Sequence, residues 1–367
     1  MRVVAVLLVA SCSGPMSAPA SAPDAAASSP PDAVVDASPP TPLTVQWLGV
    51  QGYLLSHGGE SVLTAPLFTR ASLVDVSVNA PTPADTAAID ANLPPLDDLR
   101  AIVSGHAHYD HLMDVPRVMT AHAPSALLYA NLSARHIFAA LAPDSCGTPP
   151  ASIDQIDRAR VIALDDPLAS AVDYRNCPSS RPEGAPLAGS WVRVPGSHIR
   201  LYAICSEHPA QVGIYHFGAG SIDADLCALP SSAGGWLEGR TLAFLIDFLD
   251  DADQPAFRIY YQDAPTNAPI GNPPADVIAD HPVDVALLNV GNYDQVRDQP
   301  TEILQTLTPR FAISGHWEDF FQPLSSPLTP LPFENVDTYR ARADALMPTG
   351  RSIIPTTRGQ VVIVPPP

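Results

Sequence analysis

The chain has 367 residues, a formal net charge of −19, 46% hydrophobic residues and 42 prolines. That length buries a sizeable core, as one large domain or two ordinary ones. The acidity excludes a nucleic-acid partner, because phosphate backbones are met by Lys/Arg clusters and the sequence has none; it also opposes electrostatic docking on anionic lipid.

The N-terminus reads as a targeting segment. Met1-Arg2 supplies a minimal positive region, and Val3 to Val9 is an apolar core too short to span a bilayer. Val9-Ala10-Ser11-Cys12 resembles a bacterial lipobox, which implies lipidation of Cys12 and an exported, membrane-anchored protein in the periplasm, on an outer membrane or at the cell surface. The expected organisation is a signal peptide over 1–12, a tether over 13–42 and a folded domain over 43–367. The tether is built almost entirely of Pro, Ala, Ser and Asp, with too little apolar bulk to pack and too much Pro for helix.

The domain opens with a β-type run from Leu43 to Leu55, interrupted by Gly49 and Gly52. A turn at Ser56-His57-Gly58-Gly59 follows, and Glu60 to Thr64 returns as a strand. Pro81 to Pro95 reads as loop, and Leu99 to Gly105 as a short buried strand. Helices are expected at Val115 to Ala121 and Ser133 to Leu141, around a strand at Ala126 to Tyr129. The Pro-, Ser- and Gly-rich stretch 143–195 has little periodicity and reads as an insertion packed on the domain. Strands return at Ile199 to Ile204, Thr241 to Phe248, Phe257 to Tyr261, Val283 to Asn289, Arg310 to Ser314, Ser352 to Pro355 and Gln360 to Val364. Helical pattern is clear only around Pro300 to Leu307 and Val336 to Leu346.

Four cysteines fall in the domain, Cys146, Cys177, Cys205 and Cys227, none in C-x-x-C spacing. In an oxidising compartment they suggest disulfides. Pairing between near neighbours in sequence predicts Cys146–Cys177 and Cys205–Cys227.

The segment after the buried strand carries the chemistry: His106-Ala107-His108-Tyr109-Asp110-His111, an H-x-H-x-D-H hexapeptide in a chain with only 11 His. In extended backbone, residues two apart share a face, so His106 and His108 can address one metal ion. Past a turn, Asp110 and His111 can reach a second. Three more ligand-type residues stand where a strand ends: His208 after Ile199 to Cys205, with His216 close by; Asp263 after Phe257 to Gln262; and His316 after Arg310 to Gly315.

With these residues the chain resembles a metallo-β-lactamase-fold hydrolase. The resemblance implies an α/β fold, an αββα four-layer sandwich of two mixed β-sheets flanked by helices. It places His106, His108 and His208 on one metal, Asp110, His111 and His316 on the other, and Asp263 as the bridge. Asp284 to Tyr293 followed by Ser314-Gly315-His316-Trp317 is similar to the branch containing N-acylphosphatidylethanolamine phospholipase D and the ascorbate-phosphate lactonases. Asn289 stands where that branch usually has Pro.

The implied activity is dinuclear metal-dependent hydrolysis by a metal-bridging hydroxide, the two ions lying about 3.5–4 Å apart. Asp110 and Asp263 would orient the nucleophile, and Asp110 could carry its proton. The His-rich set suits Zn2+, with Mn2+ or Fe2+ as alternatives. Tyr109 and Trp317 flank ligands and can wall the pocket. The expected substrate is small or lipid-like, of phosphodiester or phospholipid type. The alternatives are a lactonase or β-lactamase-type activity, or a non-catalytic metal- or ligand-binding surface lipoprotein.

Overall fold

The computed structural model describes residues 41–211 and 213–367. The expected signal peptide, Cys12 as the expected lipidation site, and all but the last two residues of the expected tether lie outside the described residues. No helix among the described residues is long and apolar enough to cross a membrane.

Two mixed sheets form the body. The first begins with β1 (Leu43–Gly49), β2 (Gly52–His57), β3 (Glu60–Thr64), β4 (Leu99–Val103), β5 (Leu127–Ala130) and β6 (Val161–Ala163). The second takes β7 (Val172–Asp173), β8 (Val192–Arg193), β9 (Ile199–Cys205), β10 (Leu242–Leu249), β11 (Pro255–Gln262), β12 (Val285–Asn289), β13 (Phe311–Gly315) and β14 (Ser352–Ile353). β15 (Val361–Val364) returns to the first, giving the orders β15-β1-β2-β3-β4-β5-β6 and β14-β13-β12-β11-β10-β9-β7, with β8 also on β9. The long apolar run at the start of the domain is thus itself a hairpin, turning at Val50-Gln51 between the two glycines.

Burial explains the layering. One apolar cluster joins the inward faces of both sheets, with Val45, Leu55 and Val103 against Phe244, Ile246 and Leu287, and it extends to Ile303, Leu307 and Tyr339 on helices covering the second sheet. A second cluster packs the other face of the first sheet (Leu54, Leu63, Ile102, Leu128) against Leu112, Val115, Val118 and Ile137 of the helices that follow the hexapeptide. This is the expected arrangement of two mixed sheets flanked by helices. Strands β10 and β12 are buried along their whole length, as strands covered on both faces must be.

Two regions differ from the expectation. The 86–92 part of the Pro81 to Pro95 stretch is a short helix, Thr86–Asn92, capped by the Asp85 carboxylate on Ala88 N–H. The stretch 143–195 supplies β6, β7 and β8, which extend both sheets.

The disulfide expectation is corrected. The bonds are Cys146–Cys227 and Cys177–Cys205. Strand β7 pairs parallel with β9, Asp173 opposite Ile204, so the turn after β7 delivers Cys177 to the end of β9 although 28 residues separate the two cysteines. Cys227 belongs to the excursion between β9 and β10, which packs on the helix at Leu132–Phe138 and on the segment after it: Leu226 N–H donates to His136 O at 3.0 Å. Gly147 passes so close that a Cβ there would lie 1.7 Å from the Cys227 carbonyl oxygen. Spatial neighbours here are not sequence neighbours. Non-reducing peptide mapping of protein produced in an oxidising compartment is expected to recover the 146/227 and 177/205 linked peptides; recovery of 146/177 and 205/227 would contradict this topology.

Candidate metal centre

All seven ligand-type residues meet at one end of the sandwich, beyond the ends of β4, β9, β11 and β13. After β4 the chain bends at Gly105 and His106 and reaches His108 in an extended conformation (φ −64°, ψ 154°), which serves as the N-cap of the four-residue helix Tyr109–Leu112. The switch from strand period to helix period turns Asp110 and His111 away from His106 and His108. Ser104 Oγ donates to His106 O at 2.8 Å, and Ala107 N–H donates to Glu238 O at 2.9 Å, so the segment is fixed on both sides.

Ligand atoms converge in three groups, each within 4.8 Å: His106, His108 and His208; Asp110, His111 and His316; and, linking them, His106, His111 and Asp263. The remaining contacts assign the free nitrogens. His208 Nδ1 lies 2.6 Å from Pro209 O and donates to it, which leaves Nε2 for a ligand. His108 Nε2 is 3.3 Å from Gly218 O, which leaves Nδ1. His106 Nε2 is buried with no hydrogen-bond partner. Asp110 Oδ2 stands 3.3 Å from His316 Nε2 and 3.5 Å from His111 Nε2.

Asp263, at the end of β11, is fully buried. Its Oδ2 accepts from both the backbone N–H and the Nδ1 of His106, each at 2.8 Å, and its Oδ1 is 2.9 Å from His111 Nδ1. Tyr261 OH also donates to Oδ1. The carboxylate, expected as the bridge between the ions, instead grips one imidazole of each group from behind through Nδ1 and orients both Nε2 atoms outward, an arrangement that fixes tautomer and ring angle in metal sites. Only glycine fits at 105: a Cβ there would lie 2.4 Å from both Asp263 Cβ and Leu242 O.

Sequence reasoning missed the supports. Tyr261 carried no signal beyond its strand. Asp114, three residues past the hexapeptide, is buried and accepts from Phe68 N–H, Thr69 N–H and Thr69 Oγ at 2.6–2.9 Å, pinning the loop after β3 to the hexapeptide's helix. Glu318, two residues after His316, is fully buried and accepts from Val50 N–H and Arg70 at 3.0 Å and from Arg358. His316 itself holds a left-handed backbone (φ 56°) and donates its N–H to Val50 O at 2.6 Å. His216 stacks on His208, ring centroids 5.4 Å apart, and its Nε2 is 2.7 Å from Glu238 Oε2. Trp317 stacks on Trp47, 6.1 Å apart, so it packs between the sheets; Tyr109 lines the cavity above the centre.

The charge balance calls for a cation. Burial holds His108 and His208 well below their ordinary range, so both are neutral ligands-in-waiting. Burial alone would raise Asp110 and Asp263, but His111 and their other imidazole neighbours outweigh it and hold both well below the usual carboxylate range. Burial would likewise depress His111, yet Asp263 and Asp110 lift it to about 10. The metal-free site thus keeps a proton between two buried carboxylates. Two triads of metal-type donors and an orphaned His106 Nε2 fit two divalent ions.

No protein-family model and no curated protein matches the chain. Among solved structures it is similar to Igni18, a metallo hydrolase from Ignicoccus hospitalis (13% identity, 88% of this chain and 98% of that one, TM-score 0.46). It is also similar to the isothiocyanate hydrolase from Delia radicum gut bacteria (12% identity, 87% and 98%, TM-score 0.41). A third is CmlA, a diiron beta-hydroxylase from Streptomyces venezuelae (12% identity, 89% of this chain, TM-score 0.44), of which the chain spans 55%. The functional reading rests on the site's own residues.

Since His111 holds its proton up to about pH 10 in the metal-free chain and a ligand must be deprotonated to bind, metal uptake at pH 8 should release that proton. Apparent affinity should therefore rise with pH by about tenfold per unit, per proton displaced, until pH 10. Calorimetric zinc titration in two buffers of different ionisation enthalpy reads the proton count; zero release at pH 8 would contradict the assignment.

Proposed function

We propose that the chain is an exported, lipid-anchored hydrolase with a dinuclear metal centre, acting on phosphodiesters of phospholipid type. The observation that carries the metal reading is the pair of three-residue donor groups joined by one buried carboxylate. His106, His108 and His208 would hold one ion, and Asp110, His111 and His316 the other. Asp263 serves both through the imidazoles it grips. Zinc suits this nitrogen-rich set, and Mn2+ or Fe2+ can occupy the same donors. Bound ions would supply an acidified water as nucleophile and positive charge for the electrophile's oxygen.

The chain's own residues do the rest. Asp110 and His316 face the floor of a cavity of about 510 Å3, within the range of small-molecule sites. Its walls are mainly apolar: Tyr109, Phe217, Phe320, Phe321 and Leu331 exclude water around the reacting bond. Asp110, whose Oδ2 stands 3.3 Å from His316 Nε2 and 3.5 Å from His111 Nε2, would orient the attacking water and carry its proton. The −19 charge disfavours anionic ligands at long range, so a neutral or zwitterionic substrate is the better fit. A lipidated Cys12 and the Pro/Ala/Ser tether would keep the domain beside lipid.

The test is hydrolysis of bis(p-nitrophenyl) phosphate, a phosphatidylethanolamine derivative and nitrocefin by metal-loaded protein, each with and without chelator. Chelator-sensitive turnover of the phosphodiesters is expected. Chelator-sensitive nitrocefin turnover alone would place the activity in the β-lactamase class, and no turnover of any class would favour a binding protein.

A further inference from the structure

Ligand His208 lines two pockets. One is the apolar cavity of about 510 Å3, and the other is a smaller pocket of about 120 Å3. Gly213 and Gln295 also line both, so the two adjoin beside the ligand. Their chemistry differs. The large cavity is walled mainly by aromatic and aliphatic side chains, whereas Glu207, Thr266, Asn267 and Gln295 line the small one. Neither is lined by a lysine or an arginine. Apolar and polar chambers meeting at one ligand suit a substrate with an apolar part and a polar head.

The small pocket is built on a fixed wall. Thr266, in the segment after β11, is 3% exposed, and its Oγ1 is buried with no hydrogen-bond partner. Its backbone is held from two sides. Gln299 Nε2 donates to Thr266 O at 2.9 Å, and Arg297 N–H donates to Asn267 Oδ1 at 2.9 Å. Behind it, Gly271 N–H donates to Cys205 O at 3.0 Å, which ties the segment to the end of β9. Gly271 has a left-handed backbone (φ 78°), and a Cβ there would lie 2.5 Å from Thr266 Cγ2. A buried hydroxyl without a partner is costly to keep, and this one is rigidly placed to meet a ligand.

The other polar groups are acceptors. Gln295 gives its Nε2 to Asp294 Oδ1 at 3.2 Å, which leaves Oε1 to accept. Glu207 is exposed and brings a carboxylate. A head group matching Thr266 Oγ1, Gln295 Oε1 and Glu207 is rich in donors and positively charged. A primary ammonium, with three N–H donors and no acceptor, meets that description. An anionic head would meet a carboxylate and no basic side chain. The −19 net charge also draws cations toward the surface.

We propose that the pocket beside His208 is a head-group subsite for a small primary ammonium, while the apolar part of the same molecule lies in the larger cavity. The inference rests on the hydrolase reading and narrows its phosphodiesters to those with an amine head, such as ethanolamine. A choline head carries the same charge but offers no N–H donor and three extra methyl groups. Discrimination between these two heads is therefore the property that the subsite confers, with Thr266 as its specificity-determining residue.

The test compares short-chain phosphatidylethanolamine with phosphatidylcholine of the same acyl length, on metal-loaded full-length protein. Wild-type kcat/KM should favour the ethanolamine ester by about tenfold or more, the worth of one hydrogen bond to a charged group. Thr266→Val keeps the side-chain shape and should cut that preference by about tenfold, mainly through KM. Its thermal midpoint should not fall, because the deleted hydroxyl had no partner. Ala210→Phe, which adds bulk to the lining of the small pocket, should also remove the preference. Equal or faster turnover of the choline ester by wild type, or a preference that survives both substitutions, would overturn the assignment. If wild type hydrolyses neither lipid, the phosphodiester reading has failed by itself, and binding alone judges the subsite. Threonine-methyl NMR of the metal-loaded protein is then followed at pH 7 with ethanolammonium chloride and with choline chloride. The Thr266 methyl signal, identified by its loss in Thr266→Val, should shift saturably with ethanolammonium and far less with choline. No shift, or equal shifts with both cations, would overturn the proposal.

Discussion

The centre depends on one buried carboxylate serving two imidazoles. Asp263 ends a strand of the second sheet, His106 follows a strand of the first, and the hydrogen bonds between them tie the two sheets together at the active end. An ionised, desolvated carboxylate is costly unless its oxygens are satisfied; here four donors from His106, His111 and Tyr261 satisfy them. The missing side chain at Gly105 is what permits the approach. The same contacts that let Asp263 remain anionic set the angle of one imidazole in each donor triad.

A second buried carboxylate does the equivalent for the far triad. Glu318 collects Val50 N–H, Arg70 and Arg358, while Val50 O receives His316 N–H. The β1–β2 turn is thereby locked to the end of β13, and His316 is held in a left-handed conformation that a non-glycine residue does not favour by itself. Truncating Glu318 would leave two arginines facing a largely buried, unpaired site, so the pair of buried acids constrains both halves of the centre.

The local signals in the sequence carried far. The hexapeptide, and the ligand-type residues His208, Asp263 and His316 at strand ends, come together in space, because strand ends on one edge of a sandwich are neighbours whatever their separation along the chain. Alternating or continuous apolar runs marked most strands to within a residue or two. What was not legible depends on long-range contacts. The edge strands β6–β8 are only two or three residues long and owe their form to the strands they pair with. The disulfide partners follow from sheet register. Glu318, Tyr261 and Asp114 are ordinary residues in sequence, and only their burial and partners distinguish them.

The central claim is that the two donor triads each hold a divalent ion. Anomalous diffraction from crystals of the zinc-loaded chain, collected on both sides of the zinc edge, tests it directly. The account predicts two peaks per chain, one among His106, His108 and His208 and the other among Asp110, His111 and His316. A single peak, or zinc bound away from these residues, would contradict it.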